Sequence, residues 1–450
     1  MTSVHITLCP RWVDNTVSSL AVRIDTDLTA KSGEPLFRIQ SQSYDKPFLE
    51  REEDFRASDF DGTIPLETAE QQEGAITYRI FLPTREGQGP VRIAYRVKVV
   101  PAGRNPVLDF GAEEGGADGS GMTFLPAFFT EGEIDCRLTW DLSEMPAGSV
   151  GAWSFGEGDV RRRGDDKTFS DTFYACGLLD SVRVGNFRYW WFSNDALLST
   201  AADAGRIFRE EARFFGDAGE PYAIFARHVP FPVKAGGTAQ TRSYLFLYRD
   251  LTEIGSYLKF LFAHEMVHNW MSLPDEPYGT CTWYVEGMAE YYSTVLPYRM
   301  GIVTPEELVA ELNSRAADYY ENPKIGAPNL TCGENFLADL EMTKVPYGRG
   351  FFYLTSADAA IRRATSGERC LDDVMRALLG KTVGDGNEAW IAEYGRYVGA
   401  DTARREYEFL RDGGICEPSA DSFPGIGVRR REGVVRGKGE LCPAWEFFAE

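Results

Sequence analysis

Apolar and polar residues alternate over much of the first 180 positions. The runs at 19–24, 75–82 and 90–100 place β-branched and aromatic side chains at roughly every second residue, the period of a half-buried strand. Segments rich in Gly and Pro divide them. The longest, at 101–121, combines acidic residues with glycine and reads as a solvated loop. Together these features predict a β-sandwich-like antiparallel domain over residues 1–184.

Near residue 185 the period lengthens. Residues 196–216 repeat their apolar positions at helical spacing and stop at Gly216, and two strands follow at 221–229 and 243–249. The aromatic run 187–192 reads as core between domains. From 255 onward helices dominate, at 255–271, 286–296 and 304–320. The last opens on a capping box, with Thr304 as N-cap, Pro305 in first position and Glu307 three residues on. Further helices are expected at 349–364, 371–379, 387–397 and 401–411, and the final 35 residues as an irregular tail. The resulting organisation is multidomain α+β, with spans 1–184, 185–330 and 331–450.

Composition narrows the class. Of 450 residues, 43% are hydrophobic and 26% charged, as in a water-soluble globular chain, and no apolar run approaches the length of a membrane span. The net charge of −21 argues against nucleic acid or an anionic membrane as partner. The basic runs 161–164 and 429–431 read as loops balanced by nearby acids. Eight scattered cysteines without a C-x-x-C pair, and an N-terminus without a signal core, place the protein in the cytoplasm with free thiols.

Candidate chemistry concentrates in one place. The chain has only four histidines, and two of them, His264 and His268, stand four apart in "HEMVHNW". On a helix that spacing puts both imidazoles on one face, able to share a metal, while Glu265 beside them reaches a water on the metal. A catalytic zinc needs a third protein ligand and an open position. The segment "WYVEGMAEYY" at 283–292 offers Glu286, 17 residues after His268.

"HEMVHNW" followed by "WYVEGMAEYY" resembles the gluzincin aminopeptidases, both the alanyl aminopeptidase and leukotriene hydrolase family and the glycyl aminopeptidase family (M1- and M61-like). The matching positions are Trp283, Glu286, Gly287 and Glu290. The spacing is one residue shorter than is usual in the first family, a change a loop absorbs. The resemblance implies a thermolysin-like catalytic domain over 185–330, followed by a helical region. It implies one Zn2+ per chain on His264, His268 and Glu286, with Glu290 holding a ligand histidine through its second ring nitrogen. It also implies that Tyr347, in "KVPYGRG" and 61 residues after Glu286, steadies the oxyanion. Arg349 matches a basic position of the families and either anchors the loop or meets a substrate carboxylate.

One position departs from the pattern. These families bind the substrate's amine through a Gly-rich edge strand carrying a glutamate. Here "KAGGTAQ" offers Gly236 and Gly237, with Thr238 and Gln240 as polar neighbours, but Ala239 occupies the acidic position, 25 residues before His264. The expected function is a zinc-dependent hydrolase cleaving a peptide or amide bond. A recruited biosynthetic enzyme acting on a blocked or non-peptide substrate is the second reading, and a non-catalytic peptide-binding relative the third. The expected partner is a peptide or small amide-like substrate. The sequence does not set an oligomeric state.

Overall fold

The computed structural model describes all residues except 44, 45, 48–51, 74, 75, 103–107, 131, 166, 231–234, 276–278, 337, 382 and 437–439. The chain forms two compact units, Met1–Gly205 with Ala218–Ile254, and Arg206–Asp217 with Gly255–Glu450. The two units interleave in sequence. The protein is mixed α+β, with several sheets in the first unit and most of the helices in the second.

In the first unit a seven-stranded sheet runs Val160–Gly164, Ile134–Trp140, Thr2–Val13, Thr16–Thr29, Pro90–Lys98, Glu52–Asp59, Gly62–Ile64. Strand Pro90–Lys98 shows why the alternating pattern folds this way. Val91, Ile93, Tyr95 and Val97 are buried, while the residues between them are exposed. Pairing is mainly antiparallel, but Thr2–Val13 runs parallel to Ile134–Trp140. The basic residues 161–163 belong to an edge strand and not to a loop, with Arg161 paired to Asp135.

The segment 101–121 departs further from the loop expected of it. Residues 103–107 lie outside the described residues, but Gly111–Glu113 and Gly116–Ser120 are strands, the second buried throughout. Small residues make this possible: a Cβ at Gly119 would sit 2.5 Å from the Phe110 Cα. The buried carboxylate of Asp118 is matched by the buried guanidinium of Arg227, whose Nε donates to it at 2.7 Å.

A five-stranded sheet orders Leu179–Val184, Phe187–Phe192, Tyr222–His228, Ser243–Tyr248 and Ala235–Gln240. Its middle three strands are parallel, as the helix Leu197–Phe215 between the first two of them requires. The aromatic run Phe187–Phe192 contributes to a buried core within this unit, which joins residues from both sides of position 185. Trp190 and Phe192 pack with Phe173, Phe225 and Leu245.

Helices build the second unit. We call them by their key residue: the histidine helix Tyr257–Val267, the glutamate helix Thr282–Arg299, the arginine helix Pro305–Tyr320 and the tyrosine helix Leu340–Ala364. The histidine helix is shorter than 255–271. The tyrosine helix begins nine residues before 349 and carries Pro346 inside it. Asp339 explains the early start, since its carboxylate caps the backbone N–H groups of Glu341 and Met342 at 3.0 and 3.2 Å. The capping box at Thr304 and Glu307 forms in both directions, at 3.2 and 2.9 Å. Of the expected irregular tail, Ile426–Arg436 and Glu440–Ala449 form a hairpin. It is pinned to the arginine helix where Asn313 exchanges two hydrogen bonds with the Phe447 backbone. Among the described residues, no helix is long and apolar enough to cross a membrane.

Candidate metal centre

His264 lies in the last turn of the histidine helix, and His268 follows as its C-cap, still in helical conformation (φ −57°, ψ −18°). The spacing of four therefore survives although the helix ends at Val267. Trp270 fixes this end. Its ring stacks on Phe215 at 4.8 Å and its Nε1 donates to Asp217 at 2.9 Å.

Glu286 sits in the second turn of the glutamate helix. The start of that helix is set by Asp275, which accepts from the backbone N–H groups of Gly279 at 2.9 Å and Cys281 at 2.5 Å, and from the hydroxyls of Thr280 and Thr282. Cys281, at the N-cap position, does not cap the helix with its own side chain, and its thiol instead faces Asn387 Oδ1 at 3.6 Å. A carboxylate seven residues upstream thus does the work a local cap would do.

The three predicted ligands converge. His264 Nε2 and His268 Nε2 are 3.2 Å apart, and Glu286 Oε2 is 3.4 and 3.5 Å from them. Three donors about 2.0–2.2 Å from a tetrahedral zinc would be spaced about 3.3–3.6 Å. Glu286 Oε2 is also buried without a hydrogen-bond donor. Burial alone would raise the pKa of this carboxyl, but His268 and His264 outweigh it and hold it well below the ordinary range. A buried, ionised, unsatisfied oxygen facing two imidazole nitrogens is a site made for a cation, so the residues fit zinc. Among the described residues no other group of three such ligands converges.

Around this triangle stand the other predicted residues. Glu265 is next to His264 and its pKa is raised, first by burial and then by Glu286, against the pull of both histidines. Glu290 Oε1 lies 3.2 Å from His264 Nδ1, the nitrogen turned away from the triangle. The Tyr347 ring is parallel to that of His264 (8°), with centroids 5.9 Å apart. A cavity of about 330 Å3 opens here, lined among others by His264, Glu265, Tyr347, Tyr257, Glu311 and Arg315.

Arg349 is committed elsewhere within its own unit. Arg349 is fully buried and donates to Asn329 Oδ1 at 2.8 Å and the Ile325 carbonyl at 2.5 Å, so it anchors the 325–329 segment. Gly236, Gly237, Thr238, Ala239 and Gln240 belong to the first unit, on the edge strand Ala235–Gln240. Gly237 answers to its own sheet, since a Cβ there would collide with the Leu245 carbonyl. The Gln240 amide is engaged with Ser120, at 2.8 and 3.0 Å. Sequence reasoning missed Asp275, Tyr257 and Arg315. None stands at a motif spacing, and only "DEP" at 275–277 hinted at a turn.

The site and the fold now meet the known proteins. The model of the M61 glycyl aminopeptidase family matches residues 258–331, the stretch with all three triangle residues and Glu290 but not Tyr347. No curated protein matches the sequence significantly. In fold the chain is similar to an aminopeptidase N family protein from Idiomarina loihiensis, with TM-score 0.66 and 15% identity, over 98% of this chain and 81% of that one. It is similar to an M1 zinc metallopeptidase from Deinococcus radiodurans, with TM-score 0.53 and 17% identity over 93% and 94%. It is similar also to yeast LTA4 hydrolase, with TM-score 0.57 and 12% identity over 93% and 68%. A mutant of the Deinococcus enzyme was crystallised with the substrate Tyr-Ser-Ala. The family match and the fold together support a gluzincin aminopeptidase-like superfamily for this chain, and a metallopeptidase-like hydrolase.

Proposed function

We propose that the protein is a zinc-dependent hydrolase that cleaves a peptide or amide bond with water, holding one Zn2+ on His264, His268 and Glu286. The observation that carries this reading is the triangle itself: three donor atoms 3.2–3.5 Å apart, one of them a buried carboxylate oxygen without a donor. Zinc bound there supplies Lewis acidity and brings the pKa of a water towards about 7.

The remaining roles fall to the chain. Glu265 accepts the proton of the attacking water and returns it to the leaving amine. Its burial favours this, because a carboxylate of raised basicity is a better proton acceptor. Tyr347 donates its hydroxyl hydrogen to the developing oxyanion. Glu290 accepts the Nδ1–H of His264, which leaves the Nε2 lone pair for the metal. The cavity beside these groups receives the substrate.

One feature favours a specialised substrate. At the position where the similar families carry the amine-binding glutamate stands Ala239, and neighbouring Gln240 is bound to Ser120. A blocked peptide, small amide or other substrate without a free amine, including one met in a biosynthetic step, fits this better than an ordinary N-terminus. A cytoplasmic setting belongs to the same proposal.

The test is Glu265→Gln in the full chain, with zinc content and hydrolysis measured on matched free-amine and acetyl-blocked peptide amides. Stoichiometric zinc in both proteins, with turnover only in the wild type, is expected. Full activity in the variant would falsify the scheme. Stoichiometric zinc with no hydrolysis across the whole panel would point instead to a binding protein.

A further inference from the structure

The hairpin of Leu179–Val184 and Phe187–Phe192 sets two arginines directly opposite each other, Arg183 against Arg188. Side chains opposite each other on an antiparallel pair stand on the same face, and like charges there repel. Trp190, two residues on, shares that face, and the Arg188 guanidinium carbon lies 4.9 Å from its ring centre. Arg183, Arg188 and Trp190 line a cavity of about 540 Å3, and residues 153–158 continue its wall, among them Trp153, Phe155 and Glu157. All of it belongs to the first unit. The hydrolytic scheme uses none of these residues.

The charges around this cavity do not balance. Arg188 donates to Glu157 Oε2 at 3.1 Å and to the Ser181 hydroxyl at 3.3 Å. Arg162, from the basic run 161–164, lies 4.4 Å from the Phe155 ring centre and is paired with Glu220 at 2.6 Å. That leaves Arg183. Its Nε donates to the Gly185 carbonyl at 3.1 Å, and among the described residues no carboxylate pairs with it, in a chain that holds 68 acidic residues. Burial lowers the pKa of Arg188, Glu157 pulls it back up, and the Arg183 charge lowers it again, so a negative charge is wanted here.

We propose that the cavity binds an aromatic carboxylate, a free acid or the last residue of a peptide, whose oxygens bridge Arg183 and Arg188 and whose ring lies against Trp153, Phe155 and Trp190. An anion between the two guanidinium groups turns one repulsion into two attractions, and the planar fork of arginine suits a carboxylate. The volume is that of a small-molecule site and exceeds what a bare ion needs. Aromatic walls reward a ring over an aliphatic chain. Glu157 already shows how Arg188 receives a carboxylate oxygen, and its side chain, 46% exposed, is free to turn aside into water.

Calorimetric titration of the full chain tests this, with hydrocinnamate, its neutral amide, acetyl-glycyl-phenylalanine and inorganic phosphate as probes. Each titration is run on zinc-loaded and chelator-treated protein, so that a carboxylate held by a metal is told apart from one held here. Hydrocinnamate or the acetylated dipeptide should bind in both states. The amide should bind about 10-fold or more weakly, the usual effect of losing a charged hydrogen bond. Arg183→Gln should weaken the acid by a similar factor, and Arg183→Glu should abolish its binding. Arg183 is exposed, so both variants should fold. Without ligand, Arg183→Glu should melt no lower than the wild type, because it sets a carboxylate opposite Arg188. Tighter binding of the dipeptide assigns a peptide end, and tighter binding of hydrocinnamate a free acid. Equal affinity for acid and amide, or affinity unchanged in Arg183→Glu, overturns the proposal. So does phosphate that binds as tightly as hydrocinnamate, since the ring would then contribute nothing, and so does a wild type that binds neither acid.

Discussion

Gly287 and Gly350 meet backbone to backbone where the glutamate helix crosses the tyrosine helix. A Cβ built on Gly287 would stand 2.6 Å from the Gly350 Cα, and one on Gly350 would stand 2.7 Å from the Gly287 Cα and collide with the Trp283 carbonyl. Gly287 adjoins Glu286, and Gly350 lies three residues beyond Tyr347, so this crossing sets the separation of the two predicted site residues. Gly350→Ala should force the helices apart, at a cost of about 1–3 kcal/mol. Urea unfolding reads that cost, and chelator competition should show weaker zinc binding in the same protein. Unchanged stability would mean that the crossing relaxes freely.

Tyr347 lies parallel to the His264 ring and not among the three donors. Tyr347→Phe should therefore retain zinc and lose roughly 100–1,000-fold in kcat, the usual loss for one oxyanion donor. A KM effect with unchanged kcat would make it a substrate-binding group instead.

Asp275 organises the entry to the glutamate helix from outside it, through four donors. Asp275→Ala should cost about 0.5–2 kcal/mol as a lost cap. It should also weaken zinc binding, since Glu286 sits only a turn beyond the loop it fixes. Asp275→Asn, which keeps one acceptor oxygen, should recover part of both.

Glu211, on the helix Leu197–Phe215, is fully buried, and neither carboxylate oxygen has a hydrogen-bond partner. Burial raises its pKa well above the ordinary 4.5, with His264 pulling the other way. The folded state therefore holds this proton more tightly than the unfolded chain. The stabilising contribution is complete below about pH 4.5 and is lost as pH rises through the folded value, by about 1.4 kcal/mol per unit. Glu211→Gln should flatten the fall in stability between pH 5 and 8. Parallel pH–stability curves for the two proteins would show that Glu211 does not carry this term.

Much of the site was legible because helical geometry is local. Two histidines four apart share a face whether or not the helix continues, so the ending at Val267 did not disturb the pair. The strand Pro90–Lys98 was legible for the same reason, since its burial follows a period of two. The segment 101–121 was misleading because glycine has two uses. It loosens a solvated loop, and it also permits close packing in a buried strand such as Gly116–Ser120, and composition does not distinguish them. The terminal hairpin escaped notice because what pins it, Asn313, lies far upstream in the chain, although its two strands are adjacent.

The sequence by itself determined the donor set: two imidazoles at one-turn spacing, a glutamate in the next helix and a base beside the first histidine. Side-chain chemistry and a 3.6-residue repeat suffice for that. Only the tertiary structure decided that the donors stand 3.2–3.5 Å apart and that Arg349 is a buried anchor. Those facts depend on how separate helices cross. Crossing is set by the shape of many side chains at once, and by the absence of one at Gly287 and Gly350.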